Sequence, residues 1–172
     1  VHNEILRTRP DLLELLYQPY YWSFQGNELP GTPAYYEQPV FTMHDGKFAA
    51  RYTRTHMRSA QMMENLPKMT PAQGEALDLL DEICARPEFQ LTMMFEPGDI
   101  QFVNNHLMLH MRTEFEDYPE PEKRRHLMRL WMSLPNGRAL SQGFAPFYRD
   151  TRAGAVRGGH PGHGDDVVFE TA

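Results

Sequence analysis

The hydrophobic pattern of the chain changes period several times, and each change marks an element. Arg9-Pro10-Asp11-Leu12-Leu13-Glu14-Leu15-Leu16 gathers four leucines on one side and predicts a short helix that Pro19 ends. Tyr20 to Phe24 is aromatic and strand-like, whereas the prolines and glycines between Gly26 and Pro39 predict a loop. Two apolar runs, Pro39 to Met43 and Lys47 to Tyr52, flank His44-Asp45-Gly46 and predict a β-hairpin closed by an Asp-Gly turn. Thr70 is an N-cap with Pro71 at the first helical position; Ala76, Leu79, Leu80 and Ile83 form the buried stripe, and Pro87 stops the helix. Four strands are then expected, over 89–95, 100–103, 107–112 and 125–134. A Glu96-Pro97-Gly98-Asp99 turn and an acidic loop over 116–122 lie between them. Short strands with turn punctuation and one strong helix indicate a mainly β jelly-roll or barrel with covering helices.

Composition narrows the class without naming a function. At 172 residues, 41% apolar and 23% charged, the chain has the length and composition of one globular domain. The net charge of -6 argues against a nucleic-acid or anionic-membrane surface, while leaving room for a local basic pocket. Cys84 is the only cysteine, which excludes an intrachain disulfide and a cysteine-rich zinc site. No apolar run reaches 18 residues and no signal peptide is visible, so a cytoplasmic location is the default expectation. The chain opens on Val1 rather than Met, as expected of a piece of something longer or of a processed product. Gly154 to Asp166 carries five glycines, and residues 154–172 are expected to form a tail that does not pack independently.

The chemistry gathers between Gly98 and Arg129. Strand alternation puts Met108, His110 and Arg112 on one face and the apolar Leu107, Leu109 and Met111 on the other, which should be core. His110 then points into a differently lined space, where a neutral imidazole can bind a metal. A lone histidine is more often a hydrogen-bonded structural residue. His106 and His110 have His-x-x-x-His spacing, but Leu107 stands where a zinc protease needs its glutamate. In the last predicted strand Arg125, Leu127, Arg129 and Trp131 share a face, with Arg125 and Arg129 roughly 13 Å apart at about 3.3 Å per residue. Such a pair suits two anionic groups, or one anion and a structural pair, better than one carboxylate; exposed, solvated arginines are the plainer alternative. His44-Asp45 is better explained as a turn than as a metal motif, and Cys84 as core.

The order of these segments resembles the TauD/TfdA family of Fe(II)/2-oxoglutarate-dependent dioxygenases. The resemblance rests on Pro97-Gly98-Asp99 through Asn104-Asn105, on His110-Met111-Arg112-Thr113-Glu114-Phe115, and on Arg125-His126-Leu127-Met128-Arg129. The opening residues 1–12, Pro39-Val40-Phe41 with Asp45-Gly46, and Gly154 to Gly159 also fit, so it covers nearly the whole chain. Met111 departs from the family's usual glycine and narrows the space next to the expected metal. The resemblance implies a double-stranded β-helix (jelly-roll, cupin-like) with covering helices, incomplete in this chain. Residues 1–172 would be the C-terminal portion of a single dioxygenase domain.

By the same resemblance His110 matches the second histidine of a two-histidine, one-carboxylate iron site. Arg125 matches the arginine that pairs with the far carboxylate of 2-oxoglutarate, with Arg124 as its alternative. Arg129 matches a second arginine for an acidic substrate group or for the co-substrate site. Asn104 is a candidate for facing the substrate. The implied cofactors are Fe(II) and 2-oxoglutarate as co-substrate. The implied partners are O2, a small organic substrate that can carry an acidic group, and a chain or segment supplying the missing His-x-Asp/Glu. No nucleic acid or membrane is expected. The reaction would hydroxylate or otherwise oxidise the substrate with release of succinate and CO2. Within this chain His2-Asn3-Glu4 and His163-Gly164-Asp165 fit the His-x-Asp/Glu spacing, but both stand in the wrong place in the family's order. Two rival readings remain: a non-catalytic jelly-roll module lacking a full triad, and a cupin-like metal enzyme that does not use 2-oxoglutarate.

Overall fold

The computed structural model describes residues 1–157. Two short helices open the chain, α1 (His2–Thr8) and α2 (Pro10–Leu16), with Pro10 starting the second. Ile5, Leu12, Leu13 and Leu16 are buried from them. The helix over the leucines was expected; α1, with only Ile5 buried, has too little apolar pattern to show in the sequence. Strand β1 (Tyr20–Ser23) pairs antiparallel with β2 (Tyr35–Gln38), Trp22 lying opposite Tyr36. The expected loop over 26–39 is therefore corrected. Its last residues are recruited as a strand because β1 supplies the ladder partner and buries Tyr36 and Gln38.

The hairpin is as expected: β3 (Phe41–His44) pairs with β4 (Lys47–Ala50). Asp45 at φ +49° and Gly46 at φ +70° make the two-residue turn, the left-handed pair that an Asp-Gly dipeptide tolerates best. Helix α3 (Arg54–Gln61), which no strong periodicity announces, packs against β1 through Met57 and Ala60. Helix α4 (Pro71–Ala85) has the expected cap. Thr70 Oγ1 accepts from the Gln73 amide (3.2 Å) while the Gln73 side chain accepts from the Thr70 amide (3.0 Å). Ala76, Leu77, Leu80 and Ile83 are its buried residues, and α2 packs along it. Leu77 thus replaces half-buried Leu79 in the stripe.

One core unites these elements around Trp22, Val40, Phe41, Met57, Leu77, Leu80 and Ile83. Arg51 is inserted among its aromatic rings, its Cζ 3.6 Å from the Phe147 centroid, 5.0 Å from Trp22 and 5.7 Å from Tyr36, with Nη1 donating to Tyr36 Oη at 2.7 Å. Phe147 lies on α5 (Ala145–Tyr148), so this cation–π stack ties the C-terminal part of the chain to the first sheet.

Residues 90–134 differ most from expectation. The strands expected over 89–95, 100–103, 107–112 and 125–134 form no ladder, and the described residues hold two two-stranded antiparallel sheets and no closed barrel. The fold seen is mixed α and β rather than mainly β. The turn is present: Gly98 takes φ +100°, and the Asp99 amide donates to the Glu96 carbonyl at 3.1 Å. The face of Leu107, Leu109 and Met111 is exposed instead of core, as are Met94 (90%) and Ile100 (80%). Extended backbone becomes a strand only when another strand satisfies its N–H and C=O groups. Among the described residues none is laid beside these segments.

Candidate functional site

The loop over 113–124 brings the arginines to their places. Arg124 is spent on the loop itself: its Nε donates to the Tyr118 carbonyl (3.2 Å) and its Nη2 to the Pro119 carbonyl (2.9 Å). Arg125 is tethered by its backbone, the amide donating to Asp117 Oδ1 at 2.9 Å. Its guanidinium lies over the Phe115 ring with Cζ 5.4 Å from the centroid. Arg112 Cζ lies 4.3 Å from the same centroid. Among the described residues no carboxylate is within ion-pair distance of Arg112, Arg125 or Arg129. Two guanidiniums on one aromatic ring without a counter-charge suit an anionic ligand. Arg112 and Phe115 line an open groove that Glu114 and Glu116 also border.

The strand over 125–134 on which Arg125 and Arg129 were expected to share a face is not formed. Arg125 instead shares the Phe115 ring with Arg112. His110 is exposed, and no hydrogen bond among the described residues joins it to either arginine. No three His, Cys, Asp or Glu side chains among the described residues lie together as a metal would require, so residues 1–157 do not by themselves make an iron site. Of the two spacings that fit the family's motif, His163-Gly164-Asp165 lies outside the described residues. His2 and Glu4 diverge: the His2 ring meets Tyr17 Oη at 2.9 Å, while Glu4 is held by Arg7 (2.8 Å) and Arg86 (3.3 Å). Arg7 chiefly keeps the Glu4 carboxyl below its ordinary range.

Asn104, the candidate for facing a substrate, lies in a turn. Its Oδ1 accepts from the His106 amide (3.1 Å) and its carbonyl from the amides of Leu107 (3.0 Å) and Met108 (3.1 Å). This turn is where the 90–134 stretch meets β4, since the Ala50 amide donates to the His106 carbonyl at 2.9 Å. The His106 ring lies 6.3 Å from that of Tyr148, and its Nδ1 is buried with no partner. Burial, and then the charges of Arg138 and Arg157, push the His106 pKa down. Sequence spacing offered His106 only as half of a zinc pair; its packing role depends on where the C-terminal segment lies.

This shift gives a pH prediction. A histidine held below its unfolded pKa binds fewer protons folded than unfolded. Stability is therefore full above the unfolded value, about 6.5, and falls as pH drops from there towards the folded value. The thermal midpoint should decline as pH falls below about 7, and His106→Gln should flatten that decline. An unaltered slope in His106→Gln would assign the dependence to other groups.

Comparison with known proteins places these residues in a family. The model of the taurine catabolism dioxygenase TauD, TfdA family matches residues 1–131. The chain is 32% identical over 140 residues to FR-33289 synthase of Streptomyces rubellomurinus (strain ATCC 31215), covering 80% of this chain and 41% of that protein. It is 34% identical over 133 residues to the taurine hydroxylase-like protein SAT17 of Stachybotrys chartarum (strain CBS 109288 / IBT 7711), covering 76% of this chain and 33% of that protein. The chain thus spans less than half the length of either relative. No helix among the described residues is long and apolar enough to cross a membrane. The matched run holds His110, Arg112, Phe115, Arg125 and Arg129 together, and the chain belongs to the taurine catabolism dioxygenase TauD, TfdA family.

Proposed function

We propose that the protein is an Fe(II)- and 2-oxoglutarate-dependent oxygenase that hydroxylates or otherwise oxidises a small organic, acidic substrate, releasing succinate and CO2. The observation that carries the reading is the uncompensated Arg125 guanidinium, which follows His110 in the family's order and shares the Phe115 ring with Arg112. Arg125 is assigned to the far carboxylate of 2-oxoglutarate. The capture of Arg124 by loop carbonyls supports that choice over its neighbour. Arg129 is assigned to the acidic group of the substrate, and His110 to one coordination position of the iron. When bound, iron and 2-oxoglutarate would supply the oxidising power; the chain's own part is to hold them and orient the substrate. A substrate bearing an acid is in keeping with the name of the taurine hydroxylase-like relative.

Residues 1–172 are then the C-terminal portion of one jelly-roll domain. The segments over 89–95, 100–103, 107–112 and 125–134 would pair with strands from outside these residues, and the same outside segment would bring the His-x-Asp/Glu motif. Support comes from the exposed apolar faces of those segments and from the 41% and 33% coverage of the two relatives.

The test is succinate formation by the full-length protein. Arg125→Ala should raise the 2-oxoglutarate KM by roughly tenfold to a hundredfold, the value of a charge-assisted hydrogen bond. If only the substrate KM moved, the roles of Arg125 and Arg129 would be exchanged. Bound metal without succinate would favour a cupin-like metal enzyme that does not use 2-oxoglutarate. No bound metal would favour a non-catalytic module.

A further inference from the structure

Arg125 projects from a segment without a ladder, so something other than strand pairing must fix its guanidinium. Two contacts from the preceding loop do this. Asp117 Oδ1 accepts the Arg125 amide at 2.9 Å and sets where the residue begins. The Phe115 ring lies under the guanidinium at 5.4 Å and sets where it ends. The same ring carries Arg112 at 4.3 Å. A π face attracts a cation without consuming its N–H donors, so a guanidinium resting on Phe115 keeps its fork free for a carboxylate. Arg124 shows the alternative, a side chain whose donors are used up by loop carbonyls. Phe115 is 41% exposed and lies outside the core built around Trp22, so its contacts here are with the two guanidiniums.

We propose that Phe115 is a positioning residue for 2-oxoglutarate, a platform that holds Arg125 with its donors open and carries Arg112 on the same ring as a second cation. The proposal rests on the assignment of Arg125 to the far carboxylate. It predicts that Phe115 matters only for ligands that have that carboxylate.

The experiment measures calorimetric dissociation constants on the full-length, Fe(II)-loaded protein without oxygen, using 2-oxoglutarate and 2-oxobutyrate. The second acid keeps the oxo-acid group and lacks the far carboxylate. Phe115→Leu keeps an apolar side chain and removes the π face. It should weaken 2-oxoglutarate about three- to fivefold, the scale of an exposed cation–π contact, with 2-oxobutyrate unaffected. Phe115→Tyr, which keeps the face, should restore 2-oxoglutarate binding to within about twofold. In turnover, Phe115→Leu should change the 2-oxoglutarate KM more than kcat. Equal weakening of both acids, or failure of Phe115→Tyr to restore binding, would show a general structural role and overturn the proposal. So would unchanged 2-oxoglutarate binding in Phe115→Leu while Arg125→Ala weakens it. If Arg125→Ala itself left 2-oxoglutarate binding unchanged, the assignment of Arg125 would fall and the role of Phe115 with it.

Discussion

His110→Ala in the full-length protein is expected to lower succinate formation by more than about a hundredfold, beyond the 10- to 100-fold that loss of an outer partner of a metal ligand costs. The expectation follows from ligand number. An iron site of two histidines and a carboxylate has no spare protein ligand, so removing one imidazole weakens binding and alters geometry together. Bound iron should fall in step with activity, which makes metal content a readout independent of turnover. His106→Gln is the matched control. The His106 ring is turned towards Tyr148 and lies under the influence of Arg138 and Arg157, so its loss should leave iron content as it was. If both substitutions stripped the metal, the His-x-x-x-His pair would be the site after all. If neither did, His110 would be no ligand.

The sequence was legible where local chemistry decides the structure. Asp45-Gly46 can take the positive φ that a tight hairpin needs, so the turn and both flanking strands could be read directly. Thr70, Pro71 and Gln73 specify a helix start between them, whatever lies around it. Elements decided by a neighbour were not legible. Strand β2 has four residues at the end of a Pro/Gly-rich stretch and exists because β1 lies beside it. Helix α3 buries only Met57 and Ala60 and has no side-chain cap, so its packing on β1 gives it its place. The alternation over 107–112 and 125–134 is present in the sequence, but alternation names a face and supplies no ladder.

The site divides in the same way. The family's motif order makes His110, Arg125 and Arg129 candidates, because that order survives in the chain whatever the packing. The choice between Arg124 and Arg125 depends on which guanidinium the loop carbonyls capture, and the role of Phe115 on the loop returning Arg125 to it. The one-dimensional pattern holds neither. For Asn104 the side-chain bond to the backbone two residues on, a common arrangement for asparagine, depends on the local turn and is not visible in motif order.

The largest effect on stability should come from Trp22→Ala. Trp22 is fully buried, its Nε1 donates to the Gln38 carbonyl at 2.8 Å, and its ring stacks on Tyr36 at 6.2 Å and lies beside Arg51. Truncation leaves a cavity and removes the donor to a buried carbonyl. The first alone costs about 3–5 kcal/mol, and the second keeps the total in the upper part of that range. For a chain of this size each kcal/mol moves the thermal midpoint by about 2–4 °C, so a fall of roughly 10 °C or more is expected in thermal unfolding. Trp131 makes the comparison diagnostic. It is 51% exposed on a segment without a ladder, so in the 172-residue chain Trp131→Ala should cost about 0.5–1 kcal/mol. In the full-length protein, where outside strands would cover that segment, the same substitution should approach the cost of Trp22→Ala. A small cost in both forms would mean that nothing covers 125–134. A large cost in the short chain would mean that this segment already packs into a core of its own.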